Sequence, residues 1–259
     1  MPHVRSKDGT SIAFDRVGAG PAVILVPGAL DDGSENAPLA TELAPAFTVF
    51  NYARRGRGDS GDDPVYAVER EVEDIDALIM EAGGSAHLYG VSSGGMFAIE
   101  AAAAGLAVDR LAVYDVPYDV ADGATDRNDA YRKQLRSATS EGRHGDAVEL
   151  FMRLAGSTDD EIAGARRSSF WPGLEVLALT LAYDAELYGP PPIGRLATVR
   201  QPTLVISGGD RFFFGPAGDA VAASVPNAER LVLENQGHVA DPTVVAPVLR
   251  RFFGAPSRA

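Results

Sequence analysis

The sequence predicts an α/β protein with a mostly parallel central sheet flanked by helices, and a helical insertion over one edge of that sheet. Three observations point to this. Short β-rich runs alternate with helix-like segments along most of the 259 residues. Some of those runs, "PAVILVPG" at 21–28 above all, are continuously apolar, which suits strands covered on both faces. The alternation then lapses between 120 and 195, where helical patterns follow one another without a strand-like run.

Taken in order, "SIAFDRV" (11–17) alternates as a half-buried strand does, and "PAVILVPG" is the buried strand that follows it. "APLATELAP" (37–45) carries an apolar stripe and stops at Pro, so it reads as a helix. The strand "FTVFNYA" (47–53), the helix "YAVEREVEDIDALIMEAG" (66–83) and the strand "AHLYGV" (86–91) come next. "SGGMFAIEAAAAG" (93–105) consists almost wholly of small residues, as a helix packed closely under a sheet requires, and "LAVYDV" (111–116) is again a strand. The insertion holds "DAYRKQLRSATSEG" and "HGDAVELFMRLAG" and ends in the stiff connector "YGPPPIG". Two more strands, "PTLVIS" (202–207) and "ERLVLE" (229–234), precede a final helix, "PTVVAPVLRRFF". The expected division is a core of 1–119 and 196–259 with an insertion of 120–195.

A chain with 46% hydrophobic residues can bury a large single core. Its formal charge of −13 opposes binding to polyanions, so neither nucleic acid nor an anionic membrane surface is an expected partner. The absence of cysteine removes disulfides, thiolate metal sites and cysteine nucleophiles together. The first ten residues, "MPHVRSKDGT", carry no apolar signal segment, and no apolar stretch is long enough to span a bilayer, so a cytoplasmic location is expected. Oligomeric state is not encoded in any pattern of this kind.

In open parallel sheets function collects at the carboxyl ends of the strands. "LYGVSSGG" (88–95) lies at such an end, between a buried strand and a helix, and matches G-x-S-x-G with Ser92 at its centre. A serine hydroxyl is a weak nucleophile at neutral pH and needs a base, itself oriented by a carboxylate. Of the four histidines, only His238, in "LENQGHVADP", stands on a loop between a strand and a helix at that same edge. For the carboxylate, Asp210 follows a strand and two glycines in "TLVISGGD", while Asp115 ends "LAVYD" and is the second candidate. The order Ser92, Asp210, His238 suits this architecture. Ser93 is placed to give its backbone N–H to an oxyanion, helped by the positive end of the following helix.

Together "GTSIAFDRVGAGPAVILVPG", "YARRGRGDSG", "GVSSGG", "SGGDR" and "GHVAD" resemble the α/β-hydrolase fold family, in particular serine hydrolases with a helical cap. The resemblance covers nearly the whole chain. It implies a second oxyanion donor on the loop after the buried strand at 21–28, here the N–H of Ala29 in "VPGAL", with Leu30 lining the acyl pocket. Pro27 stands where the family commonly has His, and Ala53 replaces the Asp of the family's "DxRGxGxS". The implied activity is hydrolysis of a carboxylic ester, lactone or thioester of a small, largely apolar molecule, without metal or other cofactor. Carbon–carbon bond hydrolysis and cofactor-free lyase chemistry use the same triad, and ligand-binding or biosynthetic cyclase members share the fold. Ser rather than Asp at the elbow argues against dehalogenation and epoxide opening.

Aromatic residues of the insertion, Trp171 in particular, and Phe212 beyond Asp210 are candidates for the pocket, although packing would use them equally well. Gly56, Gly58 and Gly61 satisfy G-x-G-x-x-G, but "DDPV" follows where a dinucleotide site needs a helix to open. The acidic "DDGSEN" (31–36) lacks the spacing of a calcium loop.

Overall fold

The computed structural model describes residues 1–209 and 214–255. Strands β1 (His3–Arg5), β2 (Ser11–Gly18), β3 (Ala22–Val26), β4 (Thr48–Tyr52), β5 (Ala86–Val91), β6 (Val108–Tyr114), β7 (Thr203–Gly208) and β8 (Ala228–Leu233) form one sheet in the order β1-β2-β4-β3-β5-β6-β7-β8. β1 and β2 are antiparallel to their neighbours, and β4 through β8 pair in parallel. The predicted strands are all present; the three-residue β1 was too short to leave a pattern in the sequence.

Because successive strand residues face opposite ways, the continuously apolar runs must feed two cores. Ile24 and Val26 enter one, with Leu88 and Val113, and meet helices α2 (Val68–Glu81), α3 (Ser93–Ala103) and α10 (Phe214–Ser224). Val23 and Leu25 enter the other, with Tyr89 and Ala112, and meet α1 (Ala37–Leu43) and α11 (Pro242–Phe253). Burying a Val, Leu or Ile side chain contributes roughly 1.5–3 kcal/mol, so each face gains from every second residue. Parallel strands joined through helices place the loops that follow β3, β5, β6, β7 and β8 at one edge of the sheet.

Between β6 and β7 lie α4 (Ala124–Ser140), α5 (His144–Leu154), α6 (Asp159–Arg166), α7 (Trp171–Leu177), a 3-10 turn (Ala178–Thr180), α8 (Leu181–Ala185) and α9 (Ile193–Leu196). Tyr131, Leu135, Val148, Trp171 and Leu181 give most of this segment a hydrophobic cluster of its own. Ala29 and Leu30, from the loop after β3, pack against that cluster. The segment therefore rests on a loop at the carboxyl edge of the sheet.

Candidate active site

Ser92 sits between β5 and α3 with φ 55° and ψ −132°, outside the regions an L-residue ordinarily occupies. Its N–H is held by the Tyr114 carbonyl at 2.8 Å, and its own carbonyl accepts from Gly95 at 2.9 Å. Small neighbours make the turn possible. A Cβ on Gly94 would lie 2.2 Å from the Val26 carbonyl oxygen and 2.6 Å from that of Pro27, so only glycine lets the start of α3 approach the end of β3. A Cβ on Gly28 would likewise come within 3.1 Å of the Ser92 Cβ. The loop after β3 thus lies directly against the serine.

Leu30 in that loop also has positive φ, 55°. Strain of this kind in non-glycine residues costs on the order of 1–3 kcal/mol each and persists only where surroundings enforce it. Among the described residues, neither the Ala29 N–H nor the Ser93 N–H has a protein acceptor. The first N–H groups of a helix are unpaired by construction, and at α3 Ser93 is the first.

His238 lies in the loop between β8 and α11. Its Nδ1 is 3.1 Å from Asp115 Oδ2. Asp115 follows β6, is fully buried, has φ 49°, and accepts a second hydrogen bond from the Gly208 N–H at 3.0 Å on Oδ1. The Tyr114 hydroxyl donates to the Gly237 carbonyl at 2.6 Å and fixes the residue beside the histidine. Phe214 stacks on the imidazole, with ring centroids 4.4 Å apart and planes within 6°. Among the described residues the carboxylate on His238 is therefore Asp115, the second candidate of the sequence; Asp210, the first, lies outside the described residues.

Ser92, His238, Ala29 and Leu30 line one cavity of about 690 Å³. Its walls are mainly apolar and include Leu39, Val91, Phe151, Leu154 and Leu174, so helices of the insertion form part of them. No hydrogen bond joins the Ser92 hydroxyl to His238 among the described residues; such contacts commonly tighten when substrate binds. Trp171 is not among the cavity's walls. It is buried in the insertion's own cluster, beneath the Arg166 guanidinium at 5.8 Å from the ring centroid, which corrects its candidacy as a pocket residue. Phe212 lies outside the described residues.

The loop after β4 supplies what the sequence did not announce. Arg54, Arg55 and Arg57 are buried. Arg55 pairs with Asp74 (2.7 Å) and Asp8 (3.0 Å). Arg54 donates to Glu71 at 2.7 and 3.0 Å, and to Asp184 of α8 at 2.7 Å, while Arg57 reaches the other Asp184 oxygen, also at 2.7 Å. Burial pushes the Asp184 carboxyl up, but the Arg54 and Arg57 charges outweigh it and hold the group below its ordinary value. At the cavity wall, burial and then the charge of Asp31 raise the Glu35 carboxyl.

Residues 23–248 match the model of the Alpha/beta hydrolase family. An alpha/beta hydrolase from Sphaerobacter thermophilus has a similar structure, with TM-score 0.90 and 46% identity over 97% of this chain and 100% of that one. The chain is also 29% identical to a pimeloyl-[acyl-carrier protein] methyl ester esterase of Xanthomonas campestris, over 93% of this chain and 98% of that protein. It is 30% identical to an N-formylmaleamate deformylase of Pseudomonas putida, over 86% and 83% respectively. With the strained serine elbow, the His238–Asp115 pair and the parallel sheet that brings them to one edge, these matches establish that the chain belongs to the α/β-hydrolase family and is a hydrolytic enzyme.

Proposed function

We propose that the protein is a serine hydrolase that cleaves a carboxylic ester, lactone or thioester of a small, largely apolar molecule through an acyl-enzyme intermediate. One observation carries the reading: a strained serine after β5 and a histidine bonded to a buried carboxylate line the same apolar cavity. The relatives lend support, since an esterase and a deformylase both transfer an acyl group to water.

In this reading His238 Nε2 takes the proton of Ser92 as its oxygen attacks the substrate carbonyl. Asp115 holds Nδ1–H, fixes the tautomer and stabilises the imidazolium that forms. The N–H groups of Ala29 and Ser93, both without an acceptor among the described residues, receive the developing oxyanion. His238 returns its proton to the leaving group, then activates water against the acyl enzyme. The helices between 120 and 195 act as the cap, shielding the acyl enzyme and shaping the pocket through Phe151, Leu154 and Leu174.

Fluorophosphonate labelling and turnover of a short p-nitrophenyl ester test this together. Wild-type protein should be labelled once and should turn over the ester, whereas Ser92→Ala should be unlabelled and slower by several orders of magnitude. Equal hydrolysis by the two proteins would reject Ser92 as nucleophile. Product analysis then separates ester or lactone cleavage, giving acid plus alcohol or hydroxy acid, from carbon–carbon cleavage.

A further inference from the structure

Arg57 grips the turn that carries the expected oxyanion donor. Its Nη1 donates to the Gly28 carbonyl and, at 3.2 Å, to the Asp31 carbonyl, so one nitrogen ties together the two sides of the turn that contains Leu30. Arg54 Nη1 stands 3.5 Å from the carbonyl of Pro27. The three carbonyls are thereby drawn to one buried side of the loop. No peptide bond among the described residues is cis. In a trans peptide the carbonyl of one residue and the N–H of the next point opposite ways. A guanidinium that holds the Gly28 carbonyl therefore sends the Ala29 N–H away from itself, on a loop so close to the serine that a Cβ added to Gly28 would lie 3.1 Å from the Ser92 Cβ.

Two further observations fit this role. The Ala29 N–H has no acceptor among the described residues, although Ala29 is a wall of the cavity. Leu30, the next residue, keeps a positive φ that needs an external restraint, and Arg57 closes the turn around it. Arg57 is itself positioned by Asp184, which bridges it to Arg54 and comes from α8, in the insertion. In the family pattern "DxRGxGxS", the arginine position is Arg55, and Arg55 points to Asp74 and Asp8 instead. Arg54 and Arg57 occupy the variable positions.

We propose that Arg57, anchored by Asp184, is a positioning residue that aims the Ala29 N–H at the reacting carbonyl oxygen and thereby makes the oxyanion hole depend on docking of the insertion. The proposal rests on the serine-hydrolase reading above. Electrostatic stabilisation needs donors already aimed where charge develops, because reorienting them during the reaction uses up the gain. An arginine fork is suited to this, since it can hold two carbonyls and a carboxylate in one plane.

The test compares wild type, Arg57→Lys, Arg57→Met and Asp184→Asn on a short p-nitrophenyl ester, with circular dichroism and thermal unfolding as controls of folding. Removal of one oxyanion donor costs about 10²–10³ in kcat, so misaiming it in Arg57→Met should cost at least about tenfold in kcat, with KM little changed. Affinity for an alkyl boronic acid, which mimics the tetrahedral oxyanion, should fall in step with kcat/KM. Arg57→Lys should recover part of the loss, and Asp184→Asn should reproduce a smaller version of it. Folded variants that lose thermal stability but keep kcat and boronate affinity would reduce the cluster to a brace between insertion and core. If no Arg57 variant folds, a structure of the wild-type boronate adduct on Ser92 decides instead. The Ala29 N–H should meet a boronate oxygen while Arg57 holds the Gly28 carbonyl, and an oxygen bound only by other donors overturns the proposal. Wild type that neither labels with fluorophosphonate nor turns over the ester would instead reject the hydrolase reading itself.

Discussion

At the scale of single residues, the chemistry depends on which carboxylate meets His238. Asp115 is fully buried and spends both oxygens, one on the imidazole and one on the Gly208 N–H. It is therefore locked in orientation before substrate arrives. Asp115→Asn keeps the shape but removes the charge that stabilises the imidazolium and allows the wrong tautomer. We expect kcat to fall by about 10³–10⁴. Asp210→Asn should stay near the wild-type rate, and steady-state kinetics on the two variants decide between them; a collapse confined to Asp210→Asn would return the role to that residue. The placement of Ser92 and His238 in the fold was legible in the sequence because each carries a local signature, the first a tight glycine-flanked turn after a strand and the second a strand-to-helix loop. Asp115 and Asp210 share the same local signature, so sequence alone does not choose between them; in the described residues it is Asp115 that meets His238. The arginine cluster was hidden for a different reason. Three cations in four residues ordinarily mark a solvated loop, and Asp184, the counterion shared by Arg54 and Arg57, is 127 residues from Arg57.

At the scale of elements, the strands were legible because runs buried on both faces must be apolar throughout, and the helices between them because their stripes end at glycine or proline. The insertion was legible only as an interruption of that rhythm. Trp171 shows why its details were not: an aromatic residue serves a pocket wall or a packed cluster equally well, and here it serves the cluster. His87 in β5 presents the opposite case, a polar residue inside a strand buried on both faces. Its ring stacks on Phe253 of α11 at 4.8 Å between centroids and meets the edge of Phe47 at 6.2 Å, and Nδ1 has no hydrogen-bond partner among the described residues. Burial lowers its pKa below the ordinary value of 6.5, so the folded protein keeps it neutral. The sign follows from linkage. The unfolded chain takes up a proton near pH 6.5 and the folded chain does so only at lower pH, so the stability contributed by neutral His87 is present above pH 6.5 and lost as pH falls toward the depressed value. The slope is at most about 1.4 kcal/mol per pH unit. In urea titrations between pH 7 and 5, His87→Leu should lose less stability than wild type; parallel losses would mean that the acid sensitivity arises elsewhere.

At the scale of the whole molecule, a formal charge of −13 surrounds a cavity whose own charges do little to reverse it. Two of the cations in its walls are already engaged: Arg127 pairs with Asp119 at 2.7 Å and Arg153 pairs with Asp159. Glu35, in the same walls, adds a carboxylate. A neutral apolar ester approaching this mouth experiences no net work from the field, whereas an ester that also carries a carboxylate is repelled on approach. Salt shortens the range of that repulsion from about 30 Å at 0.01 M to about 8 Å at 0.15 M. The expected outcome is a kcat/KM that is nearly independent of ionic strength for a neutral p-nitrophenyl ester and rises with added salt for a chain-matched ester bearing a terminal carboxylate. The comparison isolates the field of the protein, because the proposed acyl chemistry would be the same for both. A carboxylate ester whose kcat/KM instead falls with salt would mean that a cation in the cavity attracts the anion more strongly than the rest of the molecule repels it, and the substrate class would then shift from neutral to anionic acyl groups.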